Sequence, residues 1–214
     1  MKKLAACFLL GLATLALSGA GQAPPPSRTI YNREDLATLN RVSDYLNGLK
    51  TLESGFIQLA SNGGVAEGRL YVARPGRMRF EYNPPSPQLI VSDGRTVAVA
   101  NTRLNTVDKY SFSDMPLSPL FGDKVDLASN PAVVKVVKQP GSILVYARTV
   151  NNKAQGNVII VFSEPQIELR QWTVTDNQGQ TTTFTLRDTM PGKTIDEAKF
   201  VLPVKNPTPP KKPG

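Results

Sequence analysis

The sequence predicts a mainly β protein with a few helices: about eleven antiparallel strands that curl into a half-open barrel, with an amphipathic N-terminal helix and a short helical lid over the concave face. Segments with strand periodicity follow one another at hairpin spacing along most of the chain, and turn residues separate them. One segment near the start has helical periodicity instead. A sheet of that many strands curls as its twist accumulates, so the helical pieces are left to cover its concave side.

The N-terminal helix is predicted over residues 33–49. Asn32 followed by Asp35 resembles a capping box, and the acidic residues Glu34 and Asp35 suit the positive start of a helix. Apolar residues recur at three- and four-residue steps, as expected for a helix that buries one face. Those residues are Leu36, Leu39, Val42, Leu46 and Leu49.

The strands are predicted from alternation and from the turns between them. Asn62-Gly63-Gly64 joins residues 51–61 to residues 65–73 as a hairpin. Met78, Phe80 and Tyr82 then alternate with charged residues, which predicts one solvated face and one face that is buried or lines a cavity. The remaining strands are predicted at 88–92, 95–100, 106–112, 132–138, 142–150, 157–163, 167–175, 180–187 and 199–204.

The lid is predicted between residues 113 and 131, where prolines and small apolar residues interrupt the strand pattern. The run Pro116-Leu117-Ser118-Pro119-Leu120-Phe121-Gly122 is too rich in proline for a central strand and suits one or two helical turns. Together with the N-terminal helix, this run is predicted to cover the concave face of the sheet.

The first 20 residues have the pattern of an export signal. Lys2 and Lys3 precede an apolar run of 14 residues, Leu4 to Leu17, which is too short to span a bilayer. Small residues follow, and cleavage after Ala20 or after Ala23 fits the pattern. Cleavage is expected after Ala20, because Pro24 would directly follow the second point. The alternative is that this segment stays attached as an N-terminal membrane anchor.

The domain organisation predicted from these patterns is simple, because no linker-like break interrupts the strands. The parts are a signal peptide at 1–20, a proline-rich stretch at 21–27, a single domain at 28–204 and a disordered tail rich in proline and lysine at 205–214.

Composition argues against most enzyme classes. The chain contains no histidine, and its only cysteine, Cys7, lies in the predicted leader. Histidine-dependent hydrolysis, thiolate metal sites and disulfides are therefore not expected in the mature protein. The acidic residues have structural roles in turns and helix starts, and no pair is spaced for acid–base work. We expect no catalytic residue, no metal site and no cofactor.

The net charge of +8 falls to +6 without Lys2 and Lys3, since 23 basic residues then face 17 acidic ones. A basic balance of this size favours anionic membrane surfaces, acidic protein partners or nucleic acid. Because the chain is predicted to be exported, nucleic acid is the least expected of the three.

Several segments resemble one protein family. They are Gly55-Phe56-Ile57-Gln58, the stretch 68–82 with its Arg74-Pro75-Gly76 turn, the stretch 88–96 with Val91-Ser92-Asp93-Gly94, and the stretch 196–200. In this order and spacing, over about residues 34–204, the chain resembles the outer-membrane lipoprotein carrier family, LolA.

The resemblance implies a periplasmic carrier without enzymatic activity. Such a protein would accept an acylated lipoprotein from an inner-membrane lipoprotein-releasing ABC transporter and shield its acyl chains in an apolar cavity. It would then pass the cargo to an outer-membrane receptor or to the membrane itself. The resemblance implies a monomer that binds no nucleic acid and needs no cofactor.

The resemblance also implies roles for individual residues. Arg74, which shares strand parity with Leu70 and Val72, matches a family arginine that hydrogen-bonds lid carbonyls and holds the cavity shut. Met78 and Phe80 match aromatic positions of the cavity, although relatives can carry phenylalanine and tryptophan there. The expected acyl-chain cavity residues are Phe56, Leu70, Val72, Met78, Phe80, Tyr82 and Ile90, and the expected lid residues are Leu117, Leu120 and Phe121.

Simpler interpretations of the same residues stay open at the level of sequence. Arg74 would be a solvated turn arginine, the cavity residues would be ordinary core under the helix, and Leu120 and Phe121 would anchor a plain loop. Two other functions also stay open. One is a lipid- or acyl-sensing regulatory domain of the cell envelope, although such sensors carry a second domain that is not predicted after residue 204. The other is a secreted hydrolase with a lipid cavity, although Ser92 lacks the GxSxG context of a nucleophile.

Overall fold

The computed structural model describes residues 31–115, 117–148 and 156–204. The predicted signal peptide at 1–20, the proline-rich stretch at 21–27 and the tail at 205–214 lie outside the described residues, as do the last two residues of the strand predicted at 142–150.

The fold is one antiparallel sheet of eleven strands, in the order β6-β5-β4-β3-β2-β1-β11-β10-β9-β8-β7. Two meanders, β1–β6 and β7–β11, join through the pairing of β1 with β11. The order ends at β6 and β7 and the sheet does not close, which confirms the predicted open, eleven-stranded fold. The strands are β1 Thr51–Ala60, β2 Val65–Ala73, β3 Arg77–Tyr82, β4 Gln88–Asp93, β5 Thr96–Asn101, β6 Thr106–Ser111, β7 Val133–Gln139, β8 Ser142–Arg148, β9 Asn157–Ser163, β10 Leu169–Thr175 and β11 Thr181–Pro191.

The predicted N-terminal helix is confirmed as α1, Arg33–Gly48. The backbone N–H of Asp35 donates to the side-chain oxygen of Asn32 at 2.8 Å, which satisfies one of the free donors at the helix start. The apolar face is buried as its period predicts, except that Leu36, in the first turn, is 39% exposed.

Helix α1 packs on the half of the sheet formed by β7–β11. The Tyr45 ring meets the Phe162 ring of β9 edge-on at 6.2 Å, and the Tyr45 hydroxyl accepts from the backbone N–H of Leu169 at 3.1 Å. Burial raises the pKa of the Tyr45 phenol, so it stays neutral in this contact. Arg41 adds an exposed ion pair with Glu164 at 3.0 Å.

The buried core lies between the sheet and its helical pieces. Side chains two residues apart in a strand lie on the same face of the sheet. The apolar side chains on the face toward α1 form a single buried cluster with that helix. Each large side chain that leaves water contributes about 1.5–3 kcal/mol. The fully buried members include Leu39, Leu46, Leu52, Phe56, Leu70, Ile143, Ile160, Phe162 and Leu169.

The prediction of a strand at 199–204 is wrong. Residues Glu197–Phe200 form a short 3-10 helix instead, because the Asp196 side chain accepts from the backbone N–H of Ala198 and starts a turn. Phe200 is then buried against the sheet, with the Arg77 guanidinium 5.4 Å from its ring centre. The capping residue and this burial outweigh the local alternation.

Charged contacts hold this C-terminal segment to the sheet. The Glu81 carboxylate accepts from Arg79 at 2.6 Å and from Lys199 at 3.0 Å, and the Lys199 ammonium lies 4.3 Å from the centre of the Tyr71 ring. Partial burial alone would raise the pKa of Glu81, but the hydrogen bonds from Lys199 and Arg79 outweigh it and lower that pKa. The same bond to Glu81 raises the pKa of Lys199.

We expect Glu81→Gln to destabilise the protein near neutral pH, by at most about 1 kcal/mol because the pair is partly exposed. A lowered folded-state pKa gives stability that is present above the ordinary glutamate pKa and is lost as the pH falls through the folded value. Urea unfolding should therefore show a deficit near pH 7 that disappears in acid. The control is Glu67→Gln, since the Glu67–Arg187 pair is about half exposed on both sides. A deficit that persists unchanged in acid would contradict the assignment.

Candidate functional site

All seven side chains predicted to line a cavity lie on one face of the sheet. Pairing sets Leu70 beside Phe80, Val72 beside Met78 and Phe80 beside Ile90. Tyr82 and Ile90 are half-buried. The other five are buried: Phe56, Leu70, Val72, Met78 and Phe80. We call this face the inner wall. Burial on a common face is observed, and the role of the inner wall as an acyl-chain cavity stays a prediction.

Two aromatic residues of the inner wall were missed by the sequence analysis. Trp172 on β10 stacks on Phe184 of β11, with ring centres 5.0 Å apart and planes at 15°. Phe80 lies 6.3 Å from Trp172, and Phe56 lies 5.5 Å from Phe80. The β1–β11 pairing brings these rings together, and nothing local in the sequence specifies it. The available signal is the alternation of Trp172 with polar neighbours.

Tyr82 stands at the end of this aromatic group. Its ring meets Phe56 edge-on at 5.1 Å, and its hydroxyl donates to the side-chain oxygen of Gln58 at 2.5 Å. Burial raises the pKa of Tyr82 to about 12, so the phenol is neutral at any physiological pH. Gly68 makes room for the Phe56 ring, because a Cβ there would lie 2.8 Å from that ring.

A short helix, α2 Ser118–Phe121, lies in the connection between β6 and β7. Leu117, Leu120 and Phe121 are each less than 8% exposed and belong to the same buried cluster as the wall side chains. We call Leu117–Gly122 the lid. Its position agrees with the predicted helical turns, and its ability to open stays a prediction.

Arg74 bonds to the end of the lid. Its Nη2 donates to the Gly122 carbonyl at 2.6 Å, and the Asp123 carbonyl is a more distant 3.5 Å away. The Nε and Nη1 atoms are buried, with no hydrogen-bond partner among the described residues. Burial lowers the pKa of the guanidinium, against the opposing charge of Asp123. The Arg74 side chain is therefore half-buried and bonds to the end of the lid with only part of its donor capacity, while its role as a latch stays a prediction.

A second bond to the lid comes from the backbone beside Arg74. The Gly76 N–H donates to the Phe121 carbonyl at 2.7 Å, while the buried Ser92 hydroxyl donates to the Gly76 carbonyl at 2.7 Å. Ser92 also accepts from the Gly94 N–H at 3.2 Å. The Arg-Pro-Gly and Val-Ser-Asp-Gly segments of the sequence are thus one structural unit that presents a donor to the lid.

Asp93 has the structural role predicted for it. Its carboxylate accepts from the backbone N–H groups of Thr96 and Arg95 at 2.8 Å each, and these bonds lower its pKa. The carboxylate therefore stabilises the turn that carries Ser92 and Gly94.

Residues 47–203 match the family model described as outer membrane lipoprotein carrier protein LolA. This match covers well over half of the chain. The chain belongs to the LolA family. The matched residues include the whole sheet, the lid, Arg74 and Gly76, while most of α1 precedes them.

Individual relatives agree with the LolA family match. A Chromobacterium violaceum protein named outer-membrane lipoprotein carrier protein is 35% identical over 104 residues, 47% of each chain. A Pseudomonas aeruginosa protein of the same name is 24% identical over 190 residues, 82% of this chain and 88% of the relative. The chain matches only about half the length of the first curated relatives. A solved LolA superfamily protein from Nitrosomonas europaea aligns over 78% of this chain and 97% of its own, with 7% identity and a TM-score of 0.46.

Two further features of the described residues bear on other site types. Between residues 31 and 204, apart from Pro116 and the 149–155 gap, no group of acidic, histidine or cysteine side chains is placed to hold a metal ion. Within the same described ranges, no helix combines the length and apolar character needed to cross a membrane. A separate groove of about 500 Å³ lies at the other end of β2 and β3 from Gly76, among Val65, Glu67 and Arg103.

We expect Gly76→Ala to weaken the attachment of the lid and to destabilise the protein by roughly 2–4 kcal/mol. Gly76 has a φ of +65°, and a Cβ there would lie 2.8 Å from Gly94 Cα. The matched control is Gly141→Ala, because Gly141 has a φ of +76° with nothing within 4 Å of its added Cβ. The control should lose only about 1 kcal/mol, the cost of the backbone conformation. Equal losses for both variants in urea unfolding would show that the close approach at Gly76 is unimportant.

Proposed function

We propose that this protein is a periplasmic chaperone that binds the acyl chains of lipoproteins against its inner wall. It carries them, without chemical change, from an inner-membrane lipoprotein-releasing ABC transporter to an outer-membrane receptor or to the membrane itself. The observation that carries this proposal is a lid whose apolar side chains belong to the same buried cluster as the aromatic inner wall and which bonds to Arg74 and Gly76. Family membership supports lipoproteins as the class of cargo.

Magnitudes explain why such a carrier needs a lid that occupies its own binding surface. One buried methylene contributes about 0.8 kcal/mol, so a sixteen-carbon chain contributes roughly 12 kcal/mol. Two or three chains would exceed the ~18–21 kcal/mol at which non-covalent affinity saturates, and cargo would not be released. Contacts of Leu117, Leu120 and Phe121 that must be broken before cargo enters offset part of this gain.

The hydrogen bonding of Arg74 suits a lid that opens. Only Nη2 of the Arg74 guanidinium donates to the lid, while Nε and Nη1 have no hydrogen-bond partner among the described residues. The closed form is therefore held less firmly than full pairing of the guanidinium would allow. The lid can then be displaced by cargo whose burial is worth more than the lid's own contacts.

The remaining parts of the proposal follow from export and charge. We propose that residues 1–20 direct export and are removed after Ala20, and that residues 28–204 act as a single, monomeric carrier domain. The net charge of +6 that remains favours docking on acidic partners or anionic headgroups. No step of this cycle requires a cofactor, a metal or a nucleophile.

We expect Arg74→Leu to shift the balance between open and closed lid by about tenfold or more, since a hydrogen bond to a charged group contributes about 1.5–3 kcal/mol. Transfer of a triacylated lipoprotein from donor to acceptor membranes should fall accordingly. The control is Arg69→Leu, which removes a half-exposed arginine within β2 and breaks its pair with Glu53. Transfer by Arg74→Leu at the parent rate would contradict the role of Arg74.

The cargo class has its own test. Mass spectrometry of the protein purified from its native periplasm should detect co-eluting triacylated polypeptide. Recovery of free fatty acid or phospholipid in place of polypeptide would contradict the assignment of lipoproteins as cargo. It would still agree with an apolar binding surface on the protein.

A further inference from the structure

The segment that follows the lid is attached to α1 by a side-chain amide. The Asn47 Nδ2 group donates to the Val125 carbonyl at 2.8 Å, and the Asn47 Oδ1 atom accepts from the Val125 N–H at 2.9 Å. One amide therefore satisfies both backbone groups of Val125, as a neighbouring β-strand would. Val125 itself is only 2% exposed.

A second attachment lies one helical turn earlier. The Ser43 hydroxyl accepts from the Leu127 N–H at 3.0 Å and donates to the Leu39 carbonyl at 2.7 Å. Ser43 and Leu127 are both buried. Serine and asparagine are poor residues for a helix interior because they compete for backbone hydrogen bonds. Here both use that capacity to bind residues 125–127.

The lid and this following segment are thus attached to different parts of the molecule. Phe121 and Gly122 bond to the β2–β3 turn through Gly76 and Arg74. Val125 and Leu127 bond to α1. Between them lie only Asp123 and Lys124, and both are exposed.

We propose that the lid opens at residues 123 and 124, and that Asn47 and Ser43 are positioning residues that keep Val125–Leu127 on α1 while Leu117–Gly122 leaves the wall. The two sides differ in how well they are held. All three side-chain bonds on the α1 side lie in a buried or half-buried setting, where leaving donors and acceptors unpaired is costly. The lid side depends on one backbone bond from Gly76 and on the Arg74 guanidinium, of which Nε and Nη1 have no partner among the described residues.

This inference rests on the proposed function, because a lid has meaning only for a site that is opened and closed. It specifies which residues move and which hold the fixed end. The side chains of Asn47 and Ser43 therefore determine where the moving part ends. The helical period alone gives no reason for asparagine or serine at these two positions.

Amide hydrogen exchange measured by NMR on the mature protein without cargo tests the division directly. The Gly76 N–H reports release of Phe121, and the Val125 and Leu127 N–H groups report release from α1. In Arg74→Leu, we expect Gly76 exchange to rise by about tenfold while Val125 and Leu127 change by less than about twofold. In Asn47→Ala, we expect Val125 exchange to rise by about tenfold.

The matched control is Asn32→Ala, which removes the cap at the other end of α1 and leaves the contacts of Asn47 intact. It should destabilise the helix start without raising Val125 exchange above that of the parent. A common rise of all three amides in Arg74→Leu would show that the cover moves as one body and would overturn the proposal. Unchanged Val125 exchange in Asn47→Ala, or an equal rise in Asn32→Ala, would overturn the role of Asn47.

Because no cargo is present, these rates stand or fall independently of what the protein carries. If transfer assays find no lipoprotein but the Gly76 and Val125 amides respond separately, the hinge is right and the cargo is wrong. If transfer occurs and the amides respond together, the cargo is right and the hinge is wrong.

Discussion

The structure depends on keeping one broad apolar face of an open sheet out of water. Eleven strands present more inner surface than a single helix can cover, and the contacts of α1 are with β7, β9 and β10. The connection between β6 and β7 supplies the rest through Leu117, Leu120, Phe121, Val125 and Leu127. The same hydrophobic effect that stabilises the empty protein is then available to any acyl chain that displaces part of this cover.

In the proposed mechanism, polar contacts decide which part of the cover leaves. Apolar contact alone is non-directional and would not distinguish the lid from the segment after it. The distinction comes from hydrogen bonds: Gly76 and Arg74 present donors to the lid carbonyls, whereas Asn47 satisfies both backbone groups of Val125. Ser92 links the Arg-Pro-Gly and Val-Ser-Asp-Gly segments by donating to the Gly76 carbonyl.

Much of this architecture could be predicted from local sequence. Hairpin signals and alternation give the antiparallel strands, and the period of α1 gives its buried face. The contribution of Trp172 and Phe184 could not be predicted, because β1 pairs with β11 across 120 residues or more and no local pattern encodes that pairing. Residues 199–204 were mistaken for a strand because the cap at Asp196 and the burial of Phe200 depend on tertiary contacts. Asn47 was invisible for the same reason.

Trp172 allows the most direct test of the central claim, because it is the only tryptophan, is 2% exposed and stacks within the inner wall. A synthetic triacylated peptide can be titrated into the mature protein while the tryptophan emission is recorded. The account predicts a saturable change at about one peptide per protein, and no change with the same peptide lacking its acyl chains. Emission that does not respond to the triacylated peptide would show that acyl chains do not reach the inner wall.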